Sequence, residues 1–195
     1  MCKAKRRRDW SFRLGVELDH AISAYFLTMT YDDIHMPRVN GCGTLHKRHT
    51  QLFMKRIRNH QRKLISQENK CTLKVADFLV KTVPEYKIKY YLVGEYGDKT
   101  RRPHYHALLF NVKREVIENV SSIWKQGHIK VGTVTPESIN YCTKYMLKQQ
   151  FGKRDWRAKP FTTMSRRPAI GMQYLDNADW HKHRDSITVR NTNGN

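Results

Sequence analysis

The sequence predicts an α+β fold, an antiparallel sheet with helices packed on it, and three observations carry that expectation. Stretches rich in aromatic and β-favouring residues recur at 24 to 30, 86 to 96, 104 to 112 and 127 to 134. A turn-forming connection, Gly97-Asp-Lys-Thr-Arg-Arg-Pro103, joins the middle two closely enough that they should pair as a hairpin. Segments of helical periodicity occupy much of the remaining chain.

Taken in order, Asp9 is placed to cap a first helix whose apolar residues Trp10, Leu14, Leu18 and Ile22 recur every four positions, with Arg13 keeping the outer face basic. The strand from Ala24 to Thr30 ends at Tyr31-Asp-Asp33 and Pro37, and Asn40, Gly41 and Gly43 mark a loop. From His46 to Ser66 a long helix puts Leu52, Phe53, Ile57, Gln61 and Leu64 on one stripe, and Lys55, Arg56, Arg58, Arg62 and Lys63 on the other faces. Residues 67 to 85 fit no single element.

Lys113 to Lys125 reads as a helix with Val116, Ile117, Val120 and Trp124 on one side. Thr135 followed by Pro136 and Glu137 starts another, expected to reach Gln149. Beyond Gln150 the chain is basic and irregular, with a Ser165-Arg-Arg-Pro168 turn and a short helix near 174 to 183. The expected organisation is one domain over 1–150, opened by a basic helix within 1–23, with 151–195 as a basic C-terminal extension packing on it.

The chain has 195 residues, and 37 lysines and arginines against 17 acidic residues give a net charge of +20. A surplus spread along the whole chain repels itself unless a polyanion neutralises it, which points to nucleic acid. Mean hydropathy of −0.75 and the lack of a long apolar run exclude a membrane-spanning protein and make a membrane partner unexpected. Cys2, Cys42, Cys71 and Cys142 form no Cys-x-x-Cys pair and follow no signal peptide, so free thiols in a reducing cytoplasm are expected.

Chemistry concentrates in two places. In Pro103-His-Tyr-His-Ala-Leu-Leu-Phe110 the period of a strand puts both imidazoles on one face. If the hairpin closes around residues 99 and 100, Glu95 lies across from His104. His104, His106 and Glu95 then make a site suited to Mg²⁺ or Mn²⁺ with open positions. On the helix from Pro136, Tyr141, Tyr145 and Lys148 stack along one face with Lys144 alongside. A phenol is a poor nucleophile until a neighbouring base or cation favours the phenolate, and a lysine there would stabilise the developing charge.

This conjunction resembles the HUH superfamily of single-strand endonucleases, most closely the rolling-circle replication initiators of Microviridae, the gokushovirus type. Matching stretches follow in the expected order: Phe26-Leu-Thr-Met-Thr-Tyr-Asp-Asp33, Gln51-Leu-Phe-Met-Lys-Arg-Ile-Arg58, Gly94-Glu-Tyr-Gly97 and Pro103 to Phe110. Tyr141-Cys-Thr-Lys-Tyr-Met-Leu-Lys148 and Ser165-Arg-Arg-Pro-Ala-Ile-Gly171 complete the set. Two departures stand out: Tyr105 replaces the usual bulky apolar residue between the histidines, and only Cys2 is left of a cysteine-containing leading segment.

The resemblance implies an RRM-like or ferredoxin-like palm with a sheet of about five strands. It implies that His104, His106 and Glu95 hold a divalent metal, and that Tyr141 or Tyr145 attacks, giving a 5′-phosphotyrosine and a free 3′-hydroxyl. Strand transfer between the two tyrosines would then close a circle. The partners implied are single-stranded DNA at a phage replication origin and the polymerase and helicase of the host, in the host bacterial cytoplasm. Lys55, Arg56 and Arg58, the turn residues Lys99, Arg101 and Arg102, and Arg166 and Arg167 are the expected DNA contacts. Rival readings are an HUH transposase or relaxase, and a non-catalytic RRM-like binder stacking bases on Tyr90, Tyr91, Tyr96 and Tyr105.

Overall fold

A computed structural model describes residues 3–144 and 155–177. Its strands are β1 (Ala24–Tyr31), β2 (Arg38–Val39), β3 (Cys42–Gly43), β4 (Lys89–Tyr96), β5 (Pro103–Phe110), β6 (Gly127–Thr133) and β7 (Phe161–Met164). The helices are α1 (Lys3–His20), α2 (Lys47–Glu68), α3 (Leu73–Thr82), α4 (Arg114–Glu118), α5 (Val120–Trp124), α6 (Pro136–Lys144) and α7 (Tyr174–Asn177). Five strands form one sheet in the order β6-β1-β5-β4-β7, with every neighbouring pair antiparallel.

Strand alternation divides the side chains between two layers. Leu27, Met29, Tyr31, Leu92, Tyr105, Ala107 and Leu109 face α2, α4 and α5 and close a core around Phe53, Ile57 and Trp124. Tyr91, Val93, Leu108 and Phe110 face α1 and α6 and pack with Leu14, Ile139, Cys142 and Ile170. The α2 stripe is set one turn wider than the sequence suggests: Phe53, Met54, Ile57, Gln61 and Ile65 are buried, while Leu52 and Leu64 are half-buried.

Several expectations are corrected. Helix α1 begins at Lys3, so Asp9 lies inside it and caps nothing. The run Lys3–Arg8 is made of good helix formers and extends the helix backwards. Ile22 falls beyond the helix and is 64% exposed, so the apolar stripe ends at Leu18. The single helix expected over 113 to 125 breaks at Asn119 into α4 and α5.

Three local features were not placed by the sequence reading. The undefined stretch 67 to 85 holds α3, whose cap is Thr72 accepting from Val75 N at 3.3 Å. The loop after β1 is a small hairpin whose Asn40-Gly41 turn has φ of 49° and 76°, the Asn-Gly turn of a two-residue connection. The segment read as irregular supplies β7, which adds to the edge of β4 from Gly94 to Tyr91. Among the described residues no helix is long and apolar enough to cross a membrane.

Gly127 sets the start of β6. Its φ is +141°, and a Cβ there would sit 2.2 Å from Asp32 N and 2.6 Å from the Thr30 carbonyl oxygen. The strand is fixed at that point by Asp32 N donating to the Gln126 carbonyl at 3.1 Å. Gly127→Ala is therefore expected to cost about 3 kcal/mol or more, from an unfavourable φ and a backbone overlap together. Urea unfolding checks this, and an unchanged midpoint would contradict the placement of β6.

Candidate metal and tyrosine site

The hairpin closes as its turn chemistry predicts. Gly97 N donates to the Arg102 carbonyl and Arg101 N to the Gly97 carbonyl, both at 3.0 Å, and this register sets Glu95 opposite His104. Because Glu95, His104 and His106 all point to the α1 and α6 side, their donor atoms converge, lying within 4.8 Å of one another. One carboxylate oxygen, Glu95 Oε1, is 2.9 Å from His104 Nε2 and 3.0 Å from His106 Nε2.

The outer ring nitrogens are also anchored. His104 Nδ1 donates to the Arg102 carbonyl at 3.1 Å, and His106 Nδ1 lies 3.2 Å from Thr28 Oγ1. Such contacts aim Nε2 at the centre and leave its lone pair there in the neutral ring. Burial would push the Glu95 carboxyl up, but the hydrogen bonds from His104 and His106 outweigh it and hold it below the ordinary range. Burial would lower His104, and the Glu95 hydrogen bond and the Arg102 carbonyl reverse that and raise it. The cluster thus shares a proton between carboxylate and imidazole, in the place where a cation would stand.

A divalent ion fits this donor set. Two imidazole nitrogens and a carboxylate suit a borderline to hard cation, and Glu95 Oε2 is buried with no hydrogen-bond partner among the described residues. His104 is the half-buried member, so the site opens to solvent on its side.

Helix α6 brings the tyrosine. It starts on a reciprocal cap in which Ser138 N donates to Thr135 Oγ1 at 3.3 Å and Thr135 N to Ser138 Oγ at 2.9 Å, with Pro136 in the first turn. Ile139, Cys142 and Thr143 are buried, which leaves Tyr141 at the rim with 41% exposure. Its ring stands edge-on to His106 with centroids 5.0 Å apart and edge-on to Phe26 at 6.4 Å. Cys142, next in sequence, is fully buried, and burial together with the Glu95 charge pushes its thiol up, so it is no competing nucleophile. Lys144 is exposed at the end of α6. Tyr145 and Lys148 lie outside the described residues.

The expected DNA contacts separate into two groups. Lys99, Arg101 and Arg102 sit in the β4–β5 turn beside His104. Arg102 reaches back to Asp33 Oδ1 at 2.8 Å and to the Tyr31 carbonyl at 2.7 Å, so its guanidinium also pins the hairpin to the end of β1. Lys55, Arg56 and Arg58 belong to α2, on the opposite side of the sheet from the histidines. Arg58 meets Arg166 and Arg167 in a cleft at the β4–β7 edge.

Site residues that the sequence reading missed come from β1 and β6. Phe26 stacks on His106 with centroids 5.6 Å apart and planes 11° from parallel. Two rows cross the sheet in register: His128, Thr30, His104, Glu95 and, beside it, Lys130, Thr28, His106. His128 and Lys130 lie on the outer strand of these rows, Lys130 exposed, so this end of the sheet is an open shelf leading to the triad. The alternation of Thr28 and Thr30 with buried Leu27, Met29 and Tyr31 already marked a polar face, but its neighbours needed the pairing of strands far apart in sequence.

The rival binding platform is not assembled: Tyr91, Tyr96 and Tyr105 are buried in the core, and the Tyr105 hydroxyl is committed to Tyr31 at 2.8 Å and His46 N at 2.8 Å. They pack the fold and present no face to a base.

Known proteins agree with the site. Replication-associated protein VP4 of Bdellovibrio phage phiMH2K is 29% identical over 191 residues, covering 84% of this chain and 55% of that protein. Replication-associated protein ORF2 of Spiroplasma virus 4 is 24% identical, covering 99% and 60%. Replication-associated protein ORF4 of Chlamydia phage 1 is 26% identical, covering 76% and 36%. The chain therefore spans roughly a third to three fifths of the length of these relatives. The family described as replication-associated protein ORF2 matches residues 24–150, a stretch that contains the triad and both tyrosines. Matched over more than half its length, and similar to the Microviridae phage proteins its motifs resemble, the chain belongs to the replication-associated protein ORF2 family.

Proposed function

We propose that this chain nicks single-stranded origin DNA through a tyrosine and so initiates rolling-circle replication of a small phage genome. The observation that carries the reading is the Tyr141 ring set against His106, one member of a buried Glu–His–His triad, at the end of an open basic shelf. Membership in a replication-associated family and a net charge of +20 support it.

In this reading the scissile phosphate lies between the triad and α6, with Lys130, His128 and the basic β4–β5 turn lining its approach. A Mg²⁺ or Mn²⁺ ion held by Glu95, His104 and His106 would supply Lewis-acid polarisation of that phosphate. The Tyr141 oxygen attacks phosphorus, the bond to the 3′ oxygen breaks, and that oxygen leaves as a hydroxyl after taking a proton. Phosphorus stays on the enzyme as a 5′-phosphotyrosine, which conserves the phosphodiester energy without ATP. Lys144, three residues along the helix, stabilises the phenolate. Tyr145 and Lys148, one helical turn further by sequence, serve a second transfer that closes the circle. The free 3′-hydroxyl then primes the host polymerase, with the host helicase opening the duplex ahead, in the bacterial cytoplasm. Residues 1–150 carry the chemistry, and 151–195 form an extension docked on them.

The test is incubation with labelled single-stranded oligonucleotides and Mn²⁺, followed by denaturing electrophoresis and location of the modified residue by mass spectrometry. An adduct on Tyr141 or Tyr145 that disappears with chelator is expected. Strand binding with no adduct across many sequences and metals would overturn the nicking reading and leave a binding protein.

A further inference from the structure

We propose that the cleft at the β4–β7 edge is a second nucleic-acid site, one that grips the sugar-phosphate backbone of a single strand away from the triad. The cleft has a volume of about 600 Å³ and is bounded by α2, α3, the start of β4 and the segment after β7. Lys47, Arg58, Lys81, Lys87, Arg166 and Arg167 all line it, and among the described residues no carboxylate does. Other cations near α2 are matched: Arg62 pairs with Asp77 at 3.2 Å, and Lys113 with Glu68 at 2.8 Å. Six cations drawn from four separate segments and left without an acid repel one another, and a polyanion is what such a site takes.

Shape and aromatic content select the kind of polyanion. A recess of this size is of the order that encloses a ligand of about 300–1,000 Å³, which suits one backbone and excludes the width of a duplex or a flat bilayer. Tyr86 and Tyr90 line the same recess, and the Arg58 guanidinium lies 5.3 Å from the Tyr90 ring, so planar groups already stack at its wall. Positive grooves that include aromatic rings are how proteins follow a single strand without reading its sequence.

The site is distinct from the cutting centre. Tyr90 and Glu95 are five residues apart on β4, roughly 17 Å at about 3.3 Å per residue. They also point to opposite faces, Tyr90 towards α2 and Glu95 towards α6. A strand held in the cleft would reach the triad by passing over the β7 edge, so the enzyme would keep hold of it several nucleotides from the cut. This inference rests on the nicking reading only for the identity of the polyanion, and binding can be measured without cleavage.

The experiment is fluorescence anisotropy of a labelled oligonucleotide, single-stranded or duplex, in chelator and over a salt series. The protein is the full chain carrying Lys81→Ala, Lys87→Ala, Arg166→Ala and Arg167→Ala together. Single-strand affinity is expected to fall at least about tenfold and the salt slope to flatten by about 0.7 per lost phosphate contact. Lys5→Ala, Lys63→Ala, Lys70→Ala and Lys74→Ala together remove the same charge elsewhere and are expected to have a much smaller effect. Replacing the two lysines by Arg and the two arginines by Lys should restore binding, which separates loss of contact from loss of fold. Equal losses in both quadruple variants, an unchanged slope, or a cleft that prefers duplex DNA or acidic vesicles would overturn the proposal. If the wild type never forms a tyrosine adduct while the cleft variant still loses its single-strand binding, the nicking reading falls and the second site stands. An adduct with unaltered cleft-variant binding has the opposite meaning.

Discussion

Tyr141→Phe combined with Tyr145→Phe is expected to reduce cutting by at least about 10⁴-fold while leaving single-strand affinity within about threefold of wild type. The reasoning is that only the hydroxyls are removed. Phenylalanine keeps the edge-on contacts that Tyr141 makes with His106 and Phe26, so α6 should stay docked through Ile139, Cys142 and Thr143. No substitute nucleophile is at hand on this turn of the helix, since Cys142 is buried and its thiol is pushed away from ionisation. Single-turnover cleavage of a labelled strand gives the rate, and anisotropy in chelator gives the affinity. Cutting at the wild-type rate would remove tyrosine from the mechanism. A parallel loss of binding would mean instead that the rings hold the strand. His106→Ala makes a useful contrast, because it leaves both tyrosines in place and should abolish the response to Mn²⁺.

How much of this site was legible depended on whether the relevant pairing was local. The Gly97–Pro103 turn fixes the β4–β5 register by itself, so Glu95 opposite His104 could be read from the spacing of residues alone. The start of α6 was equally plain, because Thr135, Pro136 and Ser138 carry the capping chemistry within four consecutive positions. By contrast, Thr28 meets His106 through strands 78 residues apart, and β7 joins the sheet through a four-residue run too short to stand out. Charge patterning had a different failing. Arg58 and Arg101 look alike along the chain, but the α2 stripe of Phe53 and Ile57 commits Arg58 to the face away from the histidines, which only the assembled sheet reveals. The front of α1 was misread for a related reason: Asp9 has the chemistry of a cap, and the helix formers preceding it made that capacity irrelevant.

Glu17→Ala is expected to be among the most destabilising single substitutions in the protein, at about 3–5 kcal/mol. Glu17 is fully buried on α1, and its Oε2 accepts from Lys89 Nζ and from Gly171 N, each at 2.9 Å, while Oε1 accepts from Gln173 Nε2 at 3.2 Å. One carboxylate therefore joins α1, β4 and the segment that follows β7. Removing it leaves the Lys89 ammonium 7% exposed with its ion-pair partner gone, and it strips Gly171 N of its acceptor. For a chain of this length the loss corresponds to a melting temperature lower by roughly 6–20 °C, at about 2–4 °C per kcal/mol. The pair itself need not be strongly favourable. Glu17→Met with Lys89→Met removes both charges and keeps the volume, so it should be much less damaging than Glu17→Ala. Urea unfolding of the two single variants and the double variant measures the coupling directly. Additive losses would show that Glu17 acts through packing alone, whereas a double variant more stable than Glu17→Ala would show that an unpaired buried charge is the source of the damage.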